Sequence, residues 1–374
     1  MNVMRLNQNN YLVDLEEAAS VVTDDRDPLR LSKYICPKSK LLELSKMGKK
    51  GKEIVEFYKE QNHQINVFLG LNEVDSFEDE TDVIEYKIGM YGSLAANITL
   101  FTMQLLAGIF SGSLALLAST ADAFMDLASQ AVLIYSNHLA SKQNYIKYPA
   151  GKAKYKTVGI IIFSTLMGTL SLQIITESIR SLVGSDHKVD VGWLSLSLVI
   201  VAIATKMILF IYCKLQNHLP SINLLAQDHL NDIMFNSTGI VTALLATYFY
   251  WWIDSVGAIL IALLILKSWS GTAAEHIQLI VGKRAETTFL NQAVYISMTH
   301  DDRIIYVDTC RAYHSGNNVF CEVDIVLPPQ MRLDESHDIG ESLQNRLEEL
   351  PDVDRAYVHL DYEIDHKPEH MKYK

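Results

Sequence analysis

The chain is poor in the residues that build disulfide frameworks and nucleic-acid surfaces. Only four cysteines occur in 374 residues, and none has CxxC spacing, which excludes a disulfide framework and a thiolate zinc site. Acidic residues outnumber basic ones by 44 to 32, and this net charge of −12 argues against nucleic acid as a partner. The N-terminal MNVMRLNQNNYLVDLEEAAS lacks an apolar core of signal-peptide length, so we expect the N-terminus to stay cytosolic.

Long apolar runs, in contrast, fill the middle of the chain. Hydrophobic residues make up 49% of the sequence, and the mean hydropathy of +0.10 indicates a molecule that is part membrane and part aqueous. Six of these runs predict transmembrane helices, of which the fifth is the least apolar because of the polar residues in its first half. The predicted spans are 88–110, 113–138, 157–181, 192–213, 225–250 and 252–269.

The distribution of basic residues predicts how these spans are oriented. The loop after the second span holds five lysines, Lys206 and Lys214 lie at the end of the fourth span and after it, and Lys283 and Arg284 follow the sixth. The opposite loops hold one basic residue, Lys188. This bias predicts that both termini face the cytosol, which requires an even number of spans and so supports six, including the weakly apolar fifth.

Charge and hydropathy predict three regions. Residues 1–86, with a net charge of −6, read as a cytosolic, partly helical region that ends in an acidic linker. Residues 87–284, with a net charge of +4, form the predicted six-helix domain. Residues 285–374, with a net charge of −10, predict a cytosolic α+β domain. Its predicted elements are a helix (286–299), two strands (304–313 and 319–327), a helix (334–349) and a strand (355–363), the αββαβ order of a ferredoxin-like fold.

Two pairs of aspartates lie inside predicted spans. Asp122 and Asp126 in the second span, like Asp228 and Asp232 in the fifth, are four residues apart and therefore share a helix face. Charged side chains at this depth are costly and usually functional. Neither segment contains a lysine or arginine to balance them, so the carboxylates need protons or a cation. An all-oxygen site of this kind suits Mn²⁺ and other hard divalent ions.

The sequence resembles the cation diffusion facilitator family, and within it the manganese subgroup that includes the plant metal-tolerance proteins. The stretches that carry the resemblance are STADAFMDLAS, KYPAGKAKYKTVGIIIF, AQDHLNDIMFNSTGIV, WWIDSVGAILIA and SHDIGESLQNRLEELPDVDRAYVHLDYEIDHKPEH. Zinc-transporting members carry HxxxD in both the second and the fifth span, whereas this chain carries DxxxD in both, the form associated with manganese.

The resemblance implies a proton-coupled exporter that works as a homodimer in a lipid bilayer, with the cytosolic domain at the dimer contact. The four aspartates would bind the transported ion, Mn²⁺, with Fe²⁺, Zn²⁺, Co²⁺ and Ni²⁺ as alternatives, and protons would move the other way. No prosthetic group is expected. The host membrane would be that of the Golgi, a prevacuolar compartment or the vacuole, with the plasma membrane as a further alternative.

Other polar residues are candidates for supporting roles. Asn97 and Asn236 either add neutral oxygens to the site or form hydrogen bonds between helices. His229 is turned about 100° from Asp228 around the helix, which favours packing over metal binding. Asp254 opens the sixth span, where a helix cap is favoured over a role in guiding ions.

A cytosolic metal site is a second possibility. His359 and Asp361 share one face of a predicted strand. By resemblance, these two residues and His337 align with metal-binding positions of zinc-transporting relatives. Exposed polar residues on a sheet are the alternative interpretation.

An intramembrane enzyme is the rival from another functional class. An aspartyl protease pair requires a GxGD context for one aspartate, and neither DxxxD motif provides it. The sequence therefore predicts a transporter and not an enzyme.

Overall fold

The computed structural model describes residues 27, 29–69, 80–111, 114–142, 144, 146–184, 193–216, 220–350 and 352–364. The chain divides into two compact units. One comprises the described parts of Met1–Phe77, Arg284–His314 and Asn318–Lys374. The other comprises the described parts of Glu78–Lys283 together with Ser315–Asn317.

The second unit is a helical bundle in which, among the described residues, each of the six predicted spans is one long helix. Four of these helices are long and apolar enough to cross a membrane, over Ile84–Phe110, Lys154–Val183, Leu196–Leu215 and Trp252–Val281. The remaining two contain the aspartate pairs, whose polarity lowers their hydropathy. The numbering of the six helices begins at α3, because two helices of the first unit precede them in the chain. They are α3 (Glu80–Ser111), α4 (Leu114–Ser141), α5 (Lys154–Val183), α6 (Trp193–Leu215), α7 (Pro220–Tyr248) and α8 (Trp252–Val281).

Several helix ends differ from the predicted spans. The last residues of the acidic stretch 73–85, predicted to be a linker, already belong to α3, while 73–79 lie outside the described residues. Helix α7 begins at Pro220, because proline fits the first turn of a helix, where its missing N–H is not needed. Helix α8 continues past the apolar run to Val281 and ends at Gly282, whose φ of 96° favours glycine.

The apolar core of the bundle lies at one end. Its fully buried members include Met90, Leu133, Phe163, Leu225 and Trp269, and the rings of Phe163 and Trp269 meet edge-on at 5.5 Å. These residues come from the first halves of α3, α5 and α7 and from the second halves of α4 and α8. Because consecutive spans alternate in direction, these segments lie at the same end, which is the end of the basic loops.

Hydrogen bonds between helices accompany this apolar packing. The side-chain amide of Asn137 donates to the hydroxyl of Tyr86 at 2.7 Å and to that of Ser221 at 3.2 Å, and so joins α4 to α3 and α7. The bundle is thus closed at the basic-loop end by both apolar and polar contacts.

The first unit contains the predicted α+β domain. Its elements are α9 (Thr287–Met298), β1 (Tyr306–Ser315), β2 (Asn318–Val326), α10 (Leu333–Glu348) and β3 (Val353–Asp361). The sheet has the order β1-β2-β3, and β2 pairs with β3 in parallel, as a strand–helix–strand connection requires. The predicted αββαβ order is confirmed, with ends that differ by one or two residues.

Two N-terminal helices belong to the same unit, α1 (Lys38–Ser45) and α2 (Gly48–Phe68). The ring of Phe68 at the end of α2 contacts the ring of Tyr295 in α9 at 5.8 Å. Helix α2 therefore packs on a neighbouring helix of the same unit, and the prediction that residues 1–86 are partly helical holds for the described ones.

Candidate functional site

An acidic cavity of about 580 Å³ lies inside the helical bundle. Most of its lining comes from the second halves of α3 and α5, the first half of α4 and the beginning of α8. It therefore extends from the middle of the bundle towards the end opposite the apolar core. Below, this end is called the open end, and the end with the apolar core is called the closed end. The charged side chains that line it are Asp122, Asp126, Glu177, Lys206, Asp232 and Asp254.

Three of the four predicted aspartates line this cavity, and the fourth is buried next to it. Asp126 and Asp232 lie near the middle of α4 and α7, and both contact Lys206. Asp122 lies one helical turn nearer the open end, within electrostatic range of Asp232. Asp228 is 2% exposed and lies one turn nearer the apolar core, within range of Asp126 and Asp232. The helices thus bring the four carboxyl groups together, and their role as metal ligands stays a prediction.

A lysine lies among these aspartates. The Nζ atom of Lys206 lies 3.3 Å from Oδ2 of Asp126 and forms a second ion pair with Oδ2 of Asp232. Its side chain is only 5% exposed. Lys206 occupies the middle of α6 and not its end, so the expectation that the acidic site lacks a fixed positive charge is wrong. The sequence also misassigned Lys206 to the basic residues at the cytosolic end of the bundle.

His229 is closer to the site than its helical position suggested. One donor atom each from Asp228, His229 and Asp232 lies within 4.8 Å of the other two, a spacing that a metal ion can bridge. The imidazole is fully buried; its Nε2 is 3.0 Å from the hydroxyl of Ser93, while Nδ1 has no hydrogen-bond partner among the described residues. His229 therefore joins the candidate ligands, although the sequence favoured a packing role.

The two asparagines both line the cavity. The amide nitrogen of Asn97 donates to Oε1 of Gln130 at 3.1 Å, and Gln130 in turn donates to the carbonyl of Met90 at 3.1 Å. Asn97 thus makes the hydrogen bond between helices that the sequence offered as one alternative. For Asn236, ligation remains a prediction.

Asp254 lies at the open end of the cavity. Helix α8 is preceded by Trp251 at its N-cap position, so Asp254 is a residue of the first turn and the expected capping role is wrong. Its Oδ1 accepts a hydrogen bond of 2.8 Å from the hydroxyl of Thr242 in α7. The carboxylate therefore ties α7 to α8 at the cavity mouth.

The three candidate residues of the cytosolic site occupy two elements, His337 in α10 and His359 with Asp361 in β3. His359 pairs in register with Asp324 of β2, and their side chains approach to 3.7 Å. His337 instead groups with Asp338 and Glu341, all of them exposed. The role of the three predicted residues in metal binding stays a prediction.

Sequence reasoning missed two charged residues of the cavity, Lys206 as an ion-pair partner and Glu177 as a lining residue. Both had a usable signal, because a charge well inside an apolar span is expensive and normally faces a partner or a water-filled space. Glu177 is within electrostatic range of Asp122.

A helical membrane bundle with buried carboxylates around a central acidic cavity defines a membrane transporter for cations. Comparison with known families agrees with this class. Residues 90–281 match the cation efflux transmembrane domain, and residues 291–363 match the cytoplasmic domain of cation efflux proteins. The chain therefore belongs to the cation diffusion facilitator family, which confirms the resemblance drawn from its motifs.

Similar proteins are known from plants. Metal tolerance protein 4 of Oryza sativa subsp. japonica is 40% identical over 93% of this chain and 88% of its own length. Metal tolerance protein 7 of the same species is 39% identical over 86% of this chain and 85% of its own length. Metal tolerance protein 10 of Arabidopsis thaliana is 38% identical over 86% of this chain and 78% of its own length.

Family membership establishes the general function. The protein is a membrane transporter that carries divalent metal cations, and it is not an enzyme. Its C-terminal region is a dimerisation domain of the cation efflux type.

Proposed function

We propose that the protein is a Mn²⁺/H⁺ antiporter that works as a homodimer and moves Mn²⁺ out of the cytosol, into an endomembrane lumen or out of the cell. The observation that carries this proposal is the cluster of Asp122, Asp126, Asp228 and Asp232 at the inner end of an acidic cavity. Four carboxylates facing one ammonium group leave an excess of negative charge that only cations or protons can neutralise.

The composition of the site supports the choice of metal. Carboxylate oxygens suit Mn²⁺, whereas Zn²⁺ sites usually include imidazole or thiolate ligands. No cysteine lines the cavity in the described part of the chain. The imidazole of His229 beside Asp228 makes the cluster less hard than a Mg²⁺ site, and it keeps Fe²⁺, Co²⁺, Ni²⁺ and Zn²⁺ as alternative cargo.

Proton coupling follows from the same charges. When the metal leaves, the carboxylates are left close together in a poorly solvated space, where protonation is the cheapest way to neutralise those that Lys206 does not pair. Protons from the acidic compartment would then return with the empty carrier, and their loss to the cytosol would prepare the next cycle.

The direction of transport follows from the predicted orientation. The apolar core closes the end of the bundle that carries the basic loops, which we assign to the cytosol. The cavity extends towards the opposite end. This conformation thus corresponds to the releasing state of an exporter, with both termini in the cytosol.

The test is uptake into proteoliposomes with the cytosolic face outward and an acidic interior. We expect Mn²⁺ to accumulate, and collapse of the pH gradient should stop net accumulation. A variant with all four aspartates changed to asparagine keeps the shape of the site and serves as the matched control. It should show neither Mn²⁺ uptake nor the proton flux coupled to it. Accumulation of Mn²⁺ against its gradient after the proton gradient has been collapsed, with no other energy source, would rule out antiport.

A further inference from the structure

Lys206 occupies the place where a cation would sit. Its ammonium group contacts one oxygen of Asp126 and one of Asp232, which belong to different DxxxD motifs on different helices. These two carboxylates form the middle of the cluster, between Asp122 on the open side and Asp228 on the closed side. A lysine ammonium is a compact point charge on a flexible stem, so it can stand in for a small cation.

We propose that Lys206 is a tethered competitor of the transported metal: its ammonium fills the site when the carrier is empty, and the incoming divalent ion must displace it. This inference rests on the proposed role of the aspartates as metal ligands. It assigns to Lys206 the control of metal affinity and of metal release.

Displacement is required because both cations need the same atoms. A divalent ion held by Asp126 and Asp232 would meet the ammonium group at contact distance, where two positive charges repel each other strongly in a poorly solvated site. Lys206 itself lines the cavity of about 580 Å³, so its side chain has room to swing away from the carboxylates. The lysine remains charged throughout, and only its position changes.

A competitor of this kind has three effects on transport. It weakens metal binding, because the metal gains only the difference between its own attraction and that of the ammonium group, and it speeds release, because the ammonium returns as the metal departs. It also selects for charge, since a monovalent ion gains little by displacing an equal charge that is already in place.

The rival explanation is that Lys206 only holds α4, α6 and α7 together. Such a structural role predicts that removal of the charge distorts the cluster and weakens metal binding. The two explanations therefore predict opposite changes in metal affinity.

The test compares Lys206→Met with wild type in purified full-length protein, by titration with Mn²⁺ alone and by flux in proteoliposomes. We expect Lys206→Met to bind Mn²⁺ about tenfold more tightly, since a competing charge on two desolvated carboxylates is gone. Its KM and kcat should fall together, and Na⁺ or K⁺ should now inhibit Mn²⁺ binding. Lys206→Arg keeps the charge and should keep weak binding and insensitivity to Na⁺ and K⁺.

The matched control is Lys214→Met, the same substitution on the same helix at an exposed position. It should leave Mn²⁺ affinity unchanged. Weaker or unchanged Mn²⁺ affinity in Lys206→Met, with no new effect of Na⁺ or K⁺, would overturn the proposal. If wild type neither binds nor carries Mn²⁺, the proposed function fails instead, so the two failures can be told apart.

Loss of the lysine leaves carboxylates unpaired, so Lys206→Met and the more polar Lys206→Gln should both be purified with and without Mn²⁺. If neither folds without metal, the proposal predicts that Mn²⁺ restores a monodisperse protein, because the metal replaces the missing positive charge. Failure of Mn²⁺ to do so would also overturn the proposal.

Discussion

Removal of a carboxylate that pairs with Lys206 should destabilise the protein, whereas removal of a carboxylate that makes no such ion pair should leave its stability nearly unchanged. Asp126→Asn replaces an ionised partner 3.3 Å from the ammonium group by a neutral amide of nearly the same shape. Asp122→Asn makes the same change one helical turn away, at a residue that lines the same cavity but has no ion pair with Lys206 among the described contacts. The two variants thus differ mainly in what they do to Lys206.

The size of the effect can be worked out from this geometry. Coulomb's law with an effective dielectric constant of about 20 gives roughly 5 kcal/mol for unit charges at 3.3 Å. The net cost is smaller, because Asp232 still pairs with the ammonium group and the asparagine oxygen still accepts a hydrogen bond. We expect a loss of about 2 kcal/mol, below the roughly 3–5 kcal/mol that accompanies a fully unpaired buried charge.

Thermal unfolding of the purified protein in detergent, without metal, measures this loss. For a unit of about 200 residues, the size of the helical bundle, about 2 kcal/mol corresponds to a fall in Tm of roughly 4–8 °C. Asp126→Asn should show this fall, and Asp122→Asn should stay within about 2 °C of wild type.

A double-mutant cycle then isolates the ion pair. In Lys206→Met the partner is already absent, so the further change Asp126→Asn should cost little or should stabilise the protein. Equal falls in Tm for Asp122→Asn and Asp126→Asn, or full additivity in the cycle, would refute this account of the site.

Two other predictions concern metal choice and helix packing. Changing Asp122 and Asp228 together to histidine recreates HxxxD in both motifs and replaces hard oxygen by borderline nitrogen, so Zn²⁺ flux should rise relative to Mn²⁺ flux in the same vesicles; an unchanged ratio would place selectivity elsewhere. Gly159 allows α5 to approach α4 so closely that an added Cβ would lie 1.9 Å from Oγ of Ser136. Gly159→Ala should therefore cost about 1–3 kcal/mol in a thermal unfolding assay, and Ser136→Gly in the same chain should recover part of it; no change in Tm on Gly159→Ala would show that the helices are free to separate.

The sequence predicted the elements of the fold well because most of them follow from local patterns. The alternation and turn signals of residues 285–374 were enough to define the αββαβ order. Apolar runs located most of the six helices, and the even number of spans required by the basic loops supported the weakly apolar fifth. Helix ends were less predictable. An apolar run marks the part of a helix that lies in lipid, whereas α8 continues to Val281 through residues that also favour helix.

The environment of the aspartates was less accessible to sequence reasoning. Four-residue spacing places Asp122 with Asp126 on one face of a helix, but it does not say which face of a third helix meets them. Lys206 was therefore counted by its position along the chain, as one of the residues that set orientation, and its contacts came from tertiary packing. His229 was judged in the same way from its angle around α7, without the neighbouring helix that carries Ser93.

The two DxxxD motifs have identical spacing but occupy the bundle in opposite directions. Consecutive spans alternate in direction, so α4 and α7, the second and fifth, run antiparallel. The first aspartate of α4, Asp122, consequently points to the open end of the cavity, whereas the first aspartate of α7, Asp228, lies towards the closed end with 2% exposure. The second aspartates, Asp126 and Asp232, meet in the middle, where Lys206 holds both. A repeat that looks symmetric in the sequence thus provides three distinct positions along the bundle, and the middle position is the one where, in our proposal, Lys206 and the transported ion compete.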